Sequence, residues 1–238
     1  MVTVSLELSG PETSRPYIEA ARPDHPSLLD PAHRLDSLFG VVNIPNVVWI
    51  DEQGVIVRPP EPGWPSGDRS MPTELFTSMP RLGRARQAPP RPDGAVGARG
   101  LETGQDRATY ADALRDWVVN GAASRFALSP SEVVARSQPR PPEVSEAAAH
   151  FELADHLWRT GRREAAIAHF NASHRLQPDN WTYRRQAYSL VSAERIGGET
   201  GRFAQGPVEG EEDAWPFDSD FRSQVATMGE GEYYPRTL

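Results

Sequence analysis

VVNIPNVVWIDEQGVIVRP, residues 41–59, is the stretch from which the fold is read. Two β-rich runs flank Asp51-Glu52-Gln53-Gly54, and an Ile44-Pro45 step precedes the first of them. The pattern predicts a hairpin in which Gly54 supplies the positive φ of a four-residue turn. Val47-Val48-Trp49-Ile50 is apolar throughout, as expected of a strand covered on both faces. Proline lowers the cost of a cis bond and has no N–H. Pro45 is therefore expected to end strand pairing and to leave the backbone of Ile44 free for an extended substrate. An ordinary trans step before a strand is the other reading of these residues.

Upstream, Val2–Leu8 alternates apolar and polar residues with the period of a half-buried strand. Pro11–Ala21 reads as a helix opened by proline, with Pro16 inside it, and His25–Asp30 as an extended segment. Asp30 is the expected cap of a short helix with Pro31 at its first position, Leu35, Leu38 and Phe39 on one face and Gly40 as its stop. Asp24, His25, Asp30, His33 and Asp36 crowd this region, yet they include a cap and a helix surface. A solvated face is expected there, and no metal site.

Downstream, residues 59–107 are dominated by Pro, Gly and Arg without periodicity and are expected to form a long loop. TYADALRDWVVNG, Thr109–Gly121, restores a helical stripe through Tyr110, Leu114, Trp117 and Val118. Trp64 and Trp117 are read as core packing in preference to a pocket wall. A linker over 123–142 leads to three helices: Glu143–Thr160, a second after Gly161 to Leu176, and Trp181–Arg195. His150, His156, His169 and His174 fall on these helices without i, i+4 ligand spacing, so structural roles are expected. Residues 197–238, with Glu209, Glu211, Glu212 and Asp213 beside Trp215, Phe217, Tyr233 and Tyr234, read as an irregular acidic tail.

The 238 residues carry 25 basic groups, all arginine, against 33 acidic ones, a net charge of -8 that argues against nucleic acid as a partner. Cysteine is absent, which excludes disulfides, zinc-thiolate sites and any thiol nucleophile within these residues. No apolar run has the length of a spanning helix, and the first residues lack signal-peptide order, so no membrane association and a cytoplasmic location are expected. No nucleophile-elbow, phosphate-loop or dinucleotide fingerprint is present, and no cofactor is expected.

Gly40, the Ile44-Pro45 step, the strand ending in Ile50-Asp51 and the turn glycine Gly54 together resemble the thioredoxin-like superfamily, in particular its TlpA/ResA and AhpC/TSA-type branches. The resemblance implies that residues 1–122 form the C-terminal two thirds of that fold and that the Ile44-Pro45 bond is cis. It also implies that Asn43, Ile44 and Pro45 face the redox site and contact the substrate, a protein or peptide disulfide or a peroxide. The family places its CxxC or peroxidatic cysteine at the start of the helix before the strand that begins here at Val2, where a helix N-terminus stabilises a thiolate. No catalytic residue is therefore expected in this chain. The favoured expectation is a redox protein whose cysteine or selenocysteine lies upstream of Met1, because a fold lacking its central strand would expose the edge beside Val2–Leu8. The alternative is a non-catalytic interaction module.

With Pro178 as the closing proline of a 34-residue unit, Leu153, Ala154, Gly161, Ala166 and Phe170 fall on positions that resemble a tetratricopeptide repeat. The resemblance implies a single repeat over 143–196; one repeat cannot bury its faces alone, so it is expected to pack on the thioredoxin-like part or to dimerise, and a groove that holds a protein partner is the other reading. The expected class is α/β: an incomplete thioredoxin-like fold followed by a small all-α TPR-like module.

Overall fold

The computed structural model of the protein describes residues 1–63, 83, 107–137, 139–228 and 232–234. In chain order the elements are β1 (Thr3–Leu6), α1 (Pro11–Ala21), β2 (Ser27–Asp30), α2 (Arg34–Phe39), β3 (Asn46–Ile50), β4 (Ile56–Pro62), α3 (Arg107–Asn120), α4 (Pro130–Arg136), α5 (Pro142–Arg159), α6 (Arg163–Leu176), α7 (Trp181–Ile196), α8 (Gly198–Ala204) and α9 (Phe221–Val225). The class is mixed α and β, with two separate two-stranded sheets, β1-β2 and β3-β4, among the described residues. Contacts divide the chain into two units. Among the described residues, one gathers 1–42 and 83 with 141–221, and the other gathers 43–63, 107–137 and 139–140 with 222–228 and 232–234. Among the described residues no helix is long and apolar enough to cross a membrane.

In the first unit β1 and β2 are parallel, with Thr3 opposite Ser27 and Leu6 opposite Asp30, and α1 is the crossover. The strand is shorter than Val2–Leu8 because its last two residues turn away. Leu8 enters the helical core, and the Glu7 carboxylate accepts from the Ser9 N–H at 2.8 Å and pairs with Arg202. Helix α2 starts at Arg34 rather than Pro31. Asp30 still caps it, accepting from the N–H groups of Arg34 at 3.0 Å and Leu35 at 2.6 Å, while Pro31 and Ala32 form a turn and His33 adopts a left-handed φ of 52°. Gly40 ends the helix at φ 81°, as its position in the sequence requires. Of the face expected to be apolar, Leu35 and Phe39 are half-buried and Leu38 is 74% exposed, whereas His33 and Asp36 are buried.

Helices α5, α6 and α7 supply the core of this unit. Ala154 and Ala166 are fully buried between α5 and α6, and a larger side chain at either would overpack the contact by about 1–3 kcal/mol. Phe151 stacks on Tyr183 with ring centroids 4.1 Å apart, and Phe170 meets Phe217. Asn180 caps α7 by accepting from the Tyr183 N–H at 3.1 Å. The expectation of an irregular tail after Gly197 is corrected. Helix α8, a 3-10 turn at Glu212–Ala214 and helix α9 are ordered elements, and Trp215 and Phe217 are buried in the aromatic core with Tyr188. Large aromatic rings in a polar, glycine-containing segment seek cover wherever a core is available, which local periodicity does not reveal.

In the second unit β3 and β4 form the antiparallel hairpin, with Trp49 opposite Arg58 and Ile50 opposite Ile56. Asp51 organises the turn: its carboxylate accepts from the Gln53 and Val55 N–H groups at 3.0 and 2.8 Å, and Gly54 takes φ 79°. Strand β3 is less covered than expected, since only Trp49 is buried and Ile50 is 44% exposed. Strand β4 runs on through Pro59, Pro60 and Pro62, so the expected loop does not begin at 59; residues 64–82 and 84–106 lie outside the described residues, Trp64 among them. Prolines are tolerated in β4 because β3 is its sole partner among the described residues. In α3 the inward stripe is Tyr110, Ala113, Leu114 and Trp117, and Val118 is 77% exposed. The expected linker contains α4, which opens with a capping box: Ser129 accepts from the Glu132 N–H while the Glu132 carboxylate accepts from the Ser129 N–H.

Candidate functional site

The loop Asn43–Ile44–Pro45 joins the two short runs of structure on either side of it, α2 and β3, and its Ile44–Pro45 peptide bond is cis. Asn43 is 4% exposed and organises the loop through its side-chain amide. Its Nδ2 donates to the Tyr233 carbonyl at 2.7 Å, and its Oδ1 accepts from the Ile44 N–H at 2.9 Å. The Ile44 carbonyl accepts from the Tyr234 hydroxyl at 3.0 Å, and the Pro45 carbonyl from the Gly63 N–H at 3.4 Å. The backbone of Ile44, expected to be free for an extended substrate, is therefore engaged on both its N–H and its C=O within the chain. What the loop presents outward is the Ile44 side chain, 37% exposed.

Tyr233 and Tyr234 are buried and pack edge to face with centroids 4.5 Å apart. Sequence reasoning assigned both to the tail and missed them as site residues. Their adjacency to each other was visible, but their partner 190 residues away was not. The Asn46 Oδ1, next along the chain, is a buried acceptor without a partner among the described residues.

The hairpin that follows the loop carries a buried polar network. Arg58 grips Glu61 with two hydrogen bonds of 2.7 and 2.8 Å and donates a third to the Phe126 carbonyl at 2.8 Å. The Trp49 indole donates to the Tyr110 hydroxyl at 3.0 Å, and that hydroxyl donates to Glu61 at 3.2 Å. All four side chains are buried, and the guanidinium lies 5.3 Å from the Trp49 ring centroid. Burial first, and then the Glu61 carboxylate, push the Tyr110 phenol well above its ordinary range, so it is a neutral donor. Gly63 lies against that phenol: a Cβ there would collide with the Tyr110 ring. Trp117 packs 5.1 Å from Trp49 and belongs to this core, as expected. Within the network the Glu61 carboxylate accepts from both the Arg58 guanidinium and the Tyr110 hydroxyl. The network positions the hairpin and offers no nucleophile.

The acidic and imidazole groups of residues 24–36 separate. Asp24 is exposed, whereas Asp30, His33 and Asp36 are buried, which corrects the expectation of a solvated face. The His33 Nδ1 lies 2.8 Å from Asp36 Oδ2, to which the Thr182 hydroxyl also donates at 2.9 Å. His33 is 1% exposed between Phe151 and Tyr183, so this imidazole–carboxylate pair ties α2 to α7 and meets no solute. Sequence spacing concealed a further pairing. His150 and His169 face one another across α5 and α6 with their Nδ1 atoms 2.7 Å apart. His156 is exposed and His174 is buried beside Tyr188 and Phe217.

Comparison with protein-family models, with curated proteins and with solved structures finds no match to this chain.

Proposed function

We propose that this chain is a thioredoxin-like protein of thiol-disulfide or peroxide chemistry, in which Asn43, Ile44 and Pro45 form the substrate-facing loop. The nucleophile, a cysteine or selenocysteine, lies outside residues 1–238, which contain no cysteine. The order and sense of the strands carries this reading: a parallel β1–α1–β2 unit, a short helix, an X-Pro step, an antiparallel hairpin and a helix whose Tyr110 packs on Trp49. The open surface of the first sheet supports it too. β1 has β2 as its single strand partner among the described residues, and the register partners Val4 and Leu28 are 38% and 49% exposed. A further strand and the active-site helix of such a fold would cover side chains of this kind. The substrate would be a protein or peptide disulfide or a peroxide, in the cytoplasm.

A second reading, a non-catalytic interaction module of thioredoxin-like and TPR-like parts, is favoured by one observation. Both hydrogen-bonding groups of the Ile44 backbone are already used, by Asn43 and Tyr234, and an extended substrate would have to displace Tyr234 to pair there. The helical hairpin α5–α6 would then hold a protein partner.

The deciding experiment is reductant-coupled disulfide and peroxide turnover by the native protein purified from its own cells, with intact mass and selenium content read on the same sample. Turnover by a species heavier than 26.3 kDa is the expected result. A species of 26.3 kDa that turns over neither substrate and retains a bound partner would overturn the redox reading in favour of the second.

A further inference from the structure

We propose that His150 and His169 form a two-imidazole site for a tetragonal transition-metal cation, Cu(II) above all, clamped between α5 and α6. The two Nδ1 atoms are 2.7 Å apart, close enough that a single proton is held between them. At least one of the two therefore presents a nitrogen lone pair to the other; when the shared proton moves to the far nitrogen of its own ring, both Nδ1 lone pairs are open to a cation seated to one side of the line between them. Ligands about 2.0–2.1 Å from a metal stand about 2.9 Å apart when they meet at a right angle and about 3.3 Å apart at the tetrahedral angle. The observed separation is nearer the first, the angle of adjacent positions in a square-planar or tetragonal site, which imidazole nitrogens fill most strongly for Cu(II).

Three further observations support the assignment. The Glu146 carboxylate, one turn before His150 on α5, lies 3.9 Å from its Nε2. At that distance the carboxylate acts through its charge and not through a hydrogen bond, and a negative charge beside the far ring nitrogen favours the tautomer that carries its proton there and leaves Nδ1 as the ligand atom. The two helices are held at fixed distance by buried Ala147, Phe151 and Ala154 on α5 and Ala166 and Phe170 on α6, so the imidazoles are presented from a rigid frame. Both rings are partly exposed, His150 with 27% of its side chain accessible, which gives a cation an approach and lets water fill the remaining positions. Among the described residues no third His, Asp or Glu completes a cluster, so the site is a two-ligand one.

The test titrates Cu(II) into the chelator-stripped full chain at neutral pH in a non-coordinating buffer, and reads affinity by calorimetry and ligation by electron paramagnetic resonance. The expected result is one tight cation per chain with nitrogen couplings from two imidazoles. H150Q and H169Q should each weaken binding at least about tenfold, E146Q by less, and H156Q, on the exposed neighbour, not at all. Zn(II), which prefers the wider tetrahedral angle, should bind more weakly than Cu(II). Affinities of H150Q and H169Q equal to that of the unmodified protein would overturn the proposal. So would a spectrum of the unmodified protein without two imidazole nitrogens, which needs no variant to fold.

Discussion

The hydroxyl of Tyr234 donates a 3.0 Å hydrogen bond to the carbonyl of Ile44, the residue whose backbone the sequence marks for an extended substrate. A segment that reads as tail is thereby the structural partner of the proline loop. In Tyr234→Phe the Ile44 carbonyl loses its donor while the ring remains, so stability should fall by about 1 kcal/mol in urea unfolding. Asn43→Ala removes the partners of both the Tyr233 carbonyl and the Ile44 N–H and should cost more, about 2–3 kcal/mol. Equal midpoints for Tyr234→Phe and the unmodified chain would contradict the bond.

Arg58 and Glu61 are 3% and 6% exposed and joined by two hydrogen bonds, so each neutralises a charge that the other has buried. Glu61→Ala should destabilise by about 3–5 kcal/mol because it strands the guanidinium beneath Trp49. Replacing both, Arg58→Met with Glu61→Leu, should recover most of that loss, since the desolvation of two ions is removed together with their attraction. A double-mutant cycle on urea midpoints measures the coupling, and additive single effects would sink this account.

Asp36 serves two donors at once, His33 and Thr182, in a site that is almost wholly buried. Asp36→Ala leaves the His33 Nδ1 and the Thr182 hydroxyl without that acceptor and should cost about 2 kcal/mol or more. Asp36→Asn, which keeps one acceptor oxygen, should cost less. Thermal unfolding of the two variants ranks them, and the reverse order would exclude the carboxylate as the tie between α2 and α7.

His174 titrates far below an ordinary histidine, at about 3, first because burial penalises its charged form and second because the Arg184 guanidinium lies beside it. The unfolded chain, with an ordinary histidine near 6.5, binds the proton that the folded chain refuses. Folding stability should therefore be unaffected by this group above pH 6.5 and fall as pH drops from 6.5 toward 3. Urea unfolding at stepped pH measures the slope. His174→Leu should flatten it over that window, and a variant with an unchanged slope would show that other groups set the acid sensitivity.

Much of the local structure is legible in the residues themselves. Gly40, Asp51 and Gly54 act where their backbone chemistry predicts, at a helix stop and a hairpin turn, because positive φ and Asx bonding depend on a few consecutive residues. The three helices after residue 141 follow from periodicity, and Ala154 and Ala166 are buried where close approach requires small side chains. Ser129 and Glu132 carried the signature of a helix start inside the expected linker, a capping box that could have located α4. His33 and Asp36 are buried against expectation because their pairing with each other and with Thr182 satisfies them, contacts that spacing within α2 does not reveal.

Sequence by itself determined the hairpin, the helices α1, α3, α5, α6 and α7, the turn chemistry and the absence of any thiol within residues 1–238, and it singled out the loop Asn43–Ile44–Pro45. Tertiary structure alone decided what that loop touches, that Asp36 and Arg58 are buried with partners, and that His150 meets His169. Caps, turns and periodic faces are set by interactions within a few residues and are written in local order. The pairing of Tyr234 with Ile44 or of His150 with His169 depends on which surfaces the chain buries together. That choice is made by the packing of the whole unit, and no local spacing encodes it.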